Sequence, residues 1–140
     1  MRQLFIDAGA WIALESKTDR YHEAARFFAQ TEARQFEWVT SNWVLFETAS
    51  FLRRRANHAI AVRFIERTRS SKRLQIVRIE RPHEERAWVI FKRYADKDFG
   101  FLDCTSFAVM ETLGIVEAFS FDRHFRQFGF QTLPLLSHRG

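Results

Sequence analysis

Four acidic side chains stand in apolar surroundings, and they are the residues of this sequence best suited to chemistry. Most of the 17 Asp and Glu residues have polar neighbours, whereas Asp7 follows Leu-Phe-Ile and Asp122 follows Phe-Ser-Phe. Asp103 follows Phe-Leu, and Glu47 lies within Trp-Val-Leu-Phe-Glu-Thr-Ala. Acidic residues are seldom buried without a partner. An ion pair with one of the many arginines therefore explains any one of them, and the three aspartates are also candidate helix N-caps.

Convergence of the four carboxylates would instead create a site for a hard metal ion. Two carboxylates about 5 Å apart, at an effective dielectric constant near 20, repel by roughly 3 kcal/mol. Such a cluster takes up protons or binds a cation. Oxygen ligands without a cysteine pair favour Mg²⁺ or Mn²⁺, which bind phosphate oxygens and activate water. A site of this kind on a basic surface suggests hydrolysis of phosphodiester bonds.

The elements that must position these acids alternate between strands and helices. This order predicts an α/β fold with a mainly parallel central sheet between helices. The predicted strands are 4–6, 36–40, 74–77, 117–121 and an edge strand over 131–135. The predicted helices are 8–16, a helix capped by Asp19, 42–55 capped by Ser41, 59–70, 82–94, one from Asp103 or Thr105 to Gly114, and 125–128. Ligands of such sheets bind at the carboxyl ends of the strands, where Asp7 and Asp122 are predicted to lie.

Length and composition favour one soluble domain that spans residues 1–140. The chain has 140 residues, 46% of them hydrophobic, and a single cysteine, Cys104. No stretch approaches the roughly 18 apolar residues of a membrane span, and Asp7 interrupts the apolar start of the chain, unlike a signal peptide. We therefore expect a cytoplasmic protein. The net charge is +5 and 18 of the 22 basic residues are arginine, which suits nucleic acid but also an ordinary basic surface.

Four segments of the chain resemble the PIN-domain family and, within it, the VapC toxin ribonucleases of toxin–antitoxin pairs. The acids lie inside these segments in the family's order, over essentially the whole chain. The matching segments are Phe5–Leu14, Ser41–Thr48, Phe101–Ala108 and Phe121–Phe125, followed by Gly129-Phe130.

The resemblance implies a fold, a site and an activity. The fold is a three-layer α/β/α arrangement with a mainly parallel sheet. Asp7, Glu47, Asp103 and Asp122 match the family's acidic quartet, which holds one or two Mg²⁺ or Mn²⁺ ions and carries out catalysis. The activity is endoribonuclease cleavage of RNA. The implied partners are a second copy of the chain in a homodimer and a small antitoxin protein, whose C-terminal tail enters the acidic groove.

Two positions depart from the family pattern. Family members often carry a hydroxyl residue two positions after the first aspartate and three before the third, where this chain has Gly9 and Gly100. Such hydroxyls orient carboxylates or waters. Ser120, two residues before Asp122, keeps a hydroxyl at a third position of this kind.

Several other residues have two interpretations. Arg123, Arg126 and His124 follow Asp122 and are candidate RNA contacts. Solvated arginines explain the first two equally well, and a surface or packing histidine is the favoured explanation of the third. Asp98 either assists the metal site or caps a turn. The run at 53–55 is a possible RNA contact or a set of cations that suits a helix C-terminus. No base is placed to activate Cys104 as a nucleophile, so a buried structural role is expected.

Other functions fit the sequence less well. A catalytically inactive PIN-like RNA-binding or scaffold protein is the main alternative, but such a protein would be expected to lose one of the four acids. A receiver-type signalling domain needs adjacent acids after its first strand, where Ala8 follows Asp7 here. A phosphatase with an Asp-x-Asp start has its second aspartate at the place that Gly9 occupies.

Overall fold

A five-stranded parallel sheet forms the centre of the molecule in a computed structural model that describes residues 1–136. The strands lie in the order β3-β2-β1-β4-β5, and every neighbouring pair is parallel. Their bounds are β1 (Gln3–Ile6), β2 (Glu37–Ser41), β3 (Leu74–Val77), β4 (Glu117–Phe119) and β5 (Gln131–Leu133). The prediction of an α/β fold with a mainly parallel sheet is confirmed.

Seven α-helices and one 3₁₀ helix connect the strands. The α-helices are α1 (Ala8–Glu15), α2 (His22–Gln30), α3 (Asn42–Arg55), α4 (His58–Ser70), α5 (Arg81–Arg93), α6 (Phe101–Leu113) and α7 (Arg123–Phe128). The 3₁₀ helix is Glu32–Gln35. Helix α1 packs on α2 and α3, and α3 packs on α4, whereas α5 packs on α6 and α6 on α7. Right-handed crossovers place these two groups on opposite faces of the sheet.

The chain changes its direction of winding at β1. From β1 it proceeds outward through β2 to β3, and then it returns past β1 to form β4 and β5. In parallel sheets, a crevice opens at the carboxyl ends of the two strands that flank such a reversal. Asp7 follows β1, and Ser120 to Asp122 follow β4.

Most of the predicted boundaries agree with the structure, and local chemistry explains them. The Ser41 side chain caps α3 by accepting a hydrogen bond from the Val44 amide at 3.1 Å, as an N-cap serine does. Helix α6 ends at Gly114, whose φ of 69° lies in the left-handed region that glycine adopts without a steric cost.

Five predicted boundaries differ from the structure by two residues or more. Strand β5 ends at Leu133 rather than at residue 135, and helix α7 begins at Arg123 rather than at residue 125, directly after its cap Asp122. Strand β4 ends at Phe119 rather than at residue 121, because Asp122 instead caps α7 by accepting a hydrogen bond from the His124 amide. Helix α6 already begins at Phe101, so Asp103 lies in its first turn and is not its cap. Asp19 lies before α2 and accepts a hydrogen bond from the Tyr21 amide in a turn.

The core lies on both faces of the sheet. Leu4, Phe5 and Ile6 of β1 are completely buried, as are Phe107 of α6 and Phe119 of β4. Among residues 1–136, no helix has the combination of length and apolar character needed to cross a bilayer.

Candidate active site

All four predicted acids line one cavity at the carboxyl ends of β1 and β4. The cavity has a volume of about 520 Å³, and Asp7, Glu47, Asp103 and Asp122 belong to its wall. The four residues come from the β1–α1 junction, α3, the first turn of α6 and the N-cap of α7. The fold therefore brings together residues that are up to 115 positions apart in the chain.

A larger cavity, of about 1010 Å³, lies at the other end of the sheet, where β2 and β3 begin. Its lining contains one acidic residue, Glu37, alongside four cationic side chains. Volume alone would favour this cavity, but it lacks a group of acids. The chemistry therefore assigns the site to the smaller cavity.

Asp7 is held at the base of the site by hydrogen bonds from its backbone and to its side chain. Its side chain is buried, and its backbone N–H donates to the Phe119 carbonyl at 3.1 Å, which ties the end of β1 to β4. The buried Ser120 hydroxyl donates to Asp7 Oδ2 at 3.0 Å and accepts from the Asp122 amide at 3.0 Å. Ser120 therefore links two of the acids and supplies the hydroxyl that its position suggested.

His124 contacts both Asp103 and Asp122. Its Nδ1 atom lies 3.0 Å from Asp103 Oδ2 and 3.2 Å from Asp122 Oδ1. Ligand atoms of these three residues all lie within 4.8 Å of one another, a spacing that one metal ion can bridge. Gly100 also donates its backbone N–H to Asp103 Oδ2 at 3.0 Å. The sequence suggested His124 as a possible RNA contact, but its proximity to Asp103 was not predicted.

The acids raise one another's pKa. Burial, together with the negative charges of Asp103 and Asp122, raises the pKa of Asp7 to about 7, although hydrogen bonds from Ala8 and Ser120 oppose the shift. Burial also raises the pKa of Asp103, and the charge of Asp122 adds to it. The pKa of Glu47 is raised by burial and by the charge of Asp103, and the charge of Arg54 opposes the shift. The carboxylates are therefore close enough to repel one another in the absence of a cation.

The donor set fits a hard divalent cation. Carboxylate oxygens predominate among the possible ligands, with one imidazole beside them. The negative charges of Asp103 and Asp122 raise the pKa of Asp7, so the cluster has an excess of negative charge. Mg²⁺ and Mn²⁺ favour such oxygen ligands. Asp103, Asp122 and His124 are the residues whose ligand atoms lie close enough to share one ion, and Asp7 lines the same cavity beside them. Glu47 is more exposed and lines the same cavity from α3.

The two glycines that depart from the family pattern face the acids directly. A Cβ atom at Gly9 would lie 3.9 Å from Asp7 Oδ2, and one at Gly100 would lie 3.8 Å from Asp103 Oδ2. Both are ordinary van der Waals distances, so each position has room for a Cβ atom beside a carboxylate.

The remaining predicted residues lie outside the cavity wall. Arg123 and Arg126 are exposed on α7, and Asp98 is exposed in the loop before α6. RNA contact by the two arginines stays a prediction. Cys104 is buried, and burial together with the charge of Asp103 raises the pKa of its thiol to about 11. The thiol is therefore protonated at neutral pH, which agrees with a structural role.

Arg54 was considered from the sequence only as part of the run at 53–55, and Arg20 and Tyr21 were not singled out, yet all three line the cavity. Arg54 lies two helical turns after Glu47, so helical spacing could have indicated that the two side chains share a face of α3. Arg20 and Tyr21 lie in the connection between α1 and α2, whose conformation no local pattern predicts.

Comparison with known proteins agrees with this geometry. The family model described as PIN domain matches residues 4–131. The 23S rRNA-specific endonuclease VapC20 of Mycobacterium tuberculosis (strain CDC 1551 / Oshkosh) is 35% identical over 127 residues, which cover 91% of this chain and 95% of the relative.

Two solved structures have the same fold. The crystal structure of Mycobacterium tuberculosis VapC20, described as a sarcin–ricin loop cleaving toxin, superposes with a TM-score of 0.86 and 34% identity, over 91% of this chain and 96% of that one. A toxin–antitoxin complex from Klebsiella pneumoniae superposes with a TM-score of 0.65 and 15% identity, over 94% of this chain and 97% of that one. At that identity the second likeness concerns the fold alone.

Proposed function

The chain belongs to the PIN-domain family, and we propose that it is a metal-dependent endoribonuclease of the VapC toxin type. The observation that carries this proposal is the meeting of Asp7, Glu47, Asp103 and Asp122 in one cavity at the reversal of strand order. Identity of 35% to a VapC ribonuclease across nearly the whole chain supports the same activity.

We propose Mg²⁺ or Mn²⁺ as the cofactor, held by Asp7, Asp103 and Asp122, with Glu47 as a ligand directly or through water. Bound there, the ion would lower the pKa of a water molecule for attack on phosphorus and neutralise charge on the phosphate. The other residues orient the ligands. Ser120 holds Asp7 Oδ2, and the Gly100 amide holds Asp103 Oδ2.

Ribosomal RNA is the proposed substrate class, because the VapC20 relative is named for cleavage of 23S rRNA. We therefore propose that the protein acts in the cytoplasm. The test is incubation of the purified protein and Mn²⁺ with a sarcin–ricin stem–loop RNA, beside a scrambled hairpin of equal length. We expect one or a few internal cuts in the stem–loop. Absence of cleavage of both RNAs, and of intact 23S rRNA, would contradict the proposal.

A cognate antitoxin is the proposed protein partner. The VapC20 relative matches this chain over 95% of its own length, and the family resemblance implies a small inhibitor whose C-terminal tail enters the acidic cavity. The protein encoded beside this gene should therefore abolish RNA cleavage at a stoichiometric ratio. An adjacent gene product that binds without reducing cleavage would contradict this arrangement.

Homodimer formation is supported by a surface that we call the aromatic patch, made of Trp43, Trp88, Phe91 and Phe101. Trp88 is 47% exposed and Phe91 is 41% exposed. The ring centroids of Trp88 and Phe91 lie 6.2 Å apart, those of Phe91 and Phe101 lie 5.6 Å apart, and those of Phe101 and Trp43 lie 6.5 Å apart. A contiguous exposed aromatic surface is typical of a protein interface. We propose that a second copy of the chain covers it.

Replacement of Trp88 by Asp should convert a dimer to a monomer, because a buried charge opposes association at an apolar interface. Light scattering coupled to size-exclusion chromatography measures the mass. Phe27→Asp is the matched control, since Phe27 is 71% exposed on α2 and lies outside the aromatic patch. A monomeric wild type, or equal dissociation by both variants, would refute this assignment of the interface.

A further inference from the structure

Two arginine side chains line the acidic cavity and are not among the proposed metal ligands. Within residues 1–136, Arg20 and Arg54 are the cationic side chains that line it. Neither belongs to an ion pair in this part of the chain, although Arg54 is close enough for its charge to oppose the upward shift in the pKa of Glu47. Their guanidinium groups therefore retain hydrogen-bond donors for a ligand, and a guanidinium fork matches the geometry of a phosphate.

Arg20 is positioned by a stack of aromatic rings. Its guanidinium carbon lies 4.8 Å from the centroid of the Tyr21 ring, within the range of a cation–π contact. The Tyr21 ring in turn stacks on Phe121, with centroids 4.4 Å apart and planes within 1° of parallel. Asp19 restrains the loop by accepting a hydrogen bond from the Tyr21 amide at 2.9 Å. Since Phe121 directly precedes Asp122, the stack links Arg20 to the acidic cluster.

Arg54 reaches the cavity from α3. It follows Glu47 by seven residues, which places both side chains on the same face of the helix. Arg53 and Arg55 belong to the same last turn but do not line the cavity. The helix dipole attracts all three arginines equally, so attraction to the helix end does not explain why one of them lines the site.

Resting on the proposed ribonuclease function, we propose that Arg20 and Arg54 bind RNA phosphates next to the scissile one, and that the Tyr21–Phe121 stack positions Arg20. The acids would hold the ion that contacts the scissile phosphate. The neighbouring phosphates are negatively charged and enter a cavity that is rich in acids. The two arginines in the cavity wall offset that repulsion. They also hold the RNA backbone so that the scissile phosphate lies at the acids.

The test compares the cleavage kinetics of Arg20→Gln and Arg54→Gln with those of two controls, in Mn²⁺ on the sarcin–ricin stem–loop RNA. Arg53→Gln removes the same charge from the same helix turn, and Arg26→Gln does so from the exposed surface of α2. We expect each cavity variant to raise KM by about tenfold with little change in kcat, because a charge-assisted hydrogen bond to bound RNA is lost. Each should also reduce, by about one, the salt slope, which is the steepness with which the logarithm of the RNA-binding constant falls with the logarithm of the salt concentration.

The stack has its own readout. Tyr21→Phe keeps the stacked ring and should retain the wild-type KM. Tyr21→Ala should raise KM about as much as Arg20→Gln does. The double variant with both Tyr21→Ala and Arg20→Gln should have a KM close to that of Arg20→Gln alone. Melting curves identify any variant that has lost its fold, and the Phe variant then carries the comparison. If the wild type cleaves RNA but the cavity and control variants have equal KM and salt slope, the arginine assignment is wrong. If the wild type cleaves no RNA, the proposed function itself fails.

Discussion

Replacement of Asp103 by Asn should reduce RNA cleavage by about a thousandfold, which corresponds to about 4 kcal/mol of transition-state stabilisation. Asn keeps the size of the side chain and an oxygen that can accept from the Gly100 amide, the contact that Asp103 Oδ2 makes at 3.0 Å. It removes the charge that we propose holds the ion. The initial rate of cleavage under saturating Mn²⁺ measures the effect.

Asp98→Asn is the matched control for this substitution. Asp98 precedes the same helix and carries the same charge, but it is exposed and does not line the cavity. Its cleavage rate should stay within about twofold of the wild-type rate, as is usual for surface substitutions. Full activity of Asp103→Asn would overturn the assignment of the site. Loss of activity only together with loss of the melting transition would instead indicate a structural role for Asp103.

The metal-free protein should become less stable as the pH rises from about 4 to about 7. Asp7 has an ordinary pKa of 3.8 that the fold raises to about 7. The folded state therefore retains a proton that the unfolded state has lost, and stability falls over this interval. A shift of this size corresponds to about 4 kcal/mol for a fully buried group. Asp103 and Glu47 shift in the same direction and add to the trend.

Asp7→Asn isolates the contribution of Asp7. In EDTA, the variant should be more stable than the wild type at pH 8 and should lose much of the difference at pH 4. Urea unfolding at a series of pH values measures the free energy of unfolding. Mn²⁺ should stabilise the wild type by about 2.7 kcal/mol at 100 times its Kd and the variant by less. Parallel pH profiles for the two proteins would rule out Asp7 as the source of the dependence.

The sequence was sufficient for those parts of the site that depend on local pattern. Asp7 could be placed because a short apolar strand ends beside it, and β1 does end at Ile6. The helix that carries Glu47 could be located because Ser41 is a strong capping residue, and its hydroxyl caps α3. These features involve neighbours within a few residues, so composition and spacing reveal them.

Features that depend on distant contacts could not be predicted. The contact of His124 with Asp103 joins α7 to α6 across 21 residues, and nothing in the spacing of either helix indicates it. The stack of Tyr21 on Phe121 joins residues 100 positions apart. The end of β4 was placed too late because Phe121 is apolar like a strand residue, whereas its ring packs on Tyr21 beyond the strand.

The central claim is that the four acids support hydrolysis of RNA through a bound metal ion, and one cleavage assay with analysis of the product ends tests it most directly. The stem–loop RNA is incubated with the wild-type protein in EDTA and then with increasing Mn²⁺. The account predicts no cleavage in EDTA, saturable recovery with Mn²⁺, and products with linear phosphate ends, because water attacks the phosphorus. Cleavage that persists in EDTA and leaves 2′,3′-cyclic phosphate would contradict it, since the RNA's own 2′-hydroxyl would then be the nucleophile.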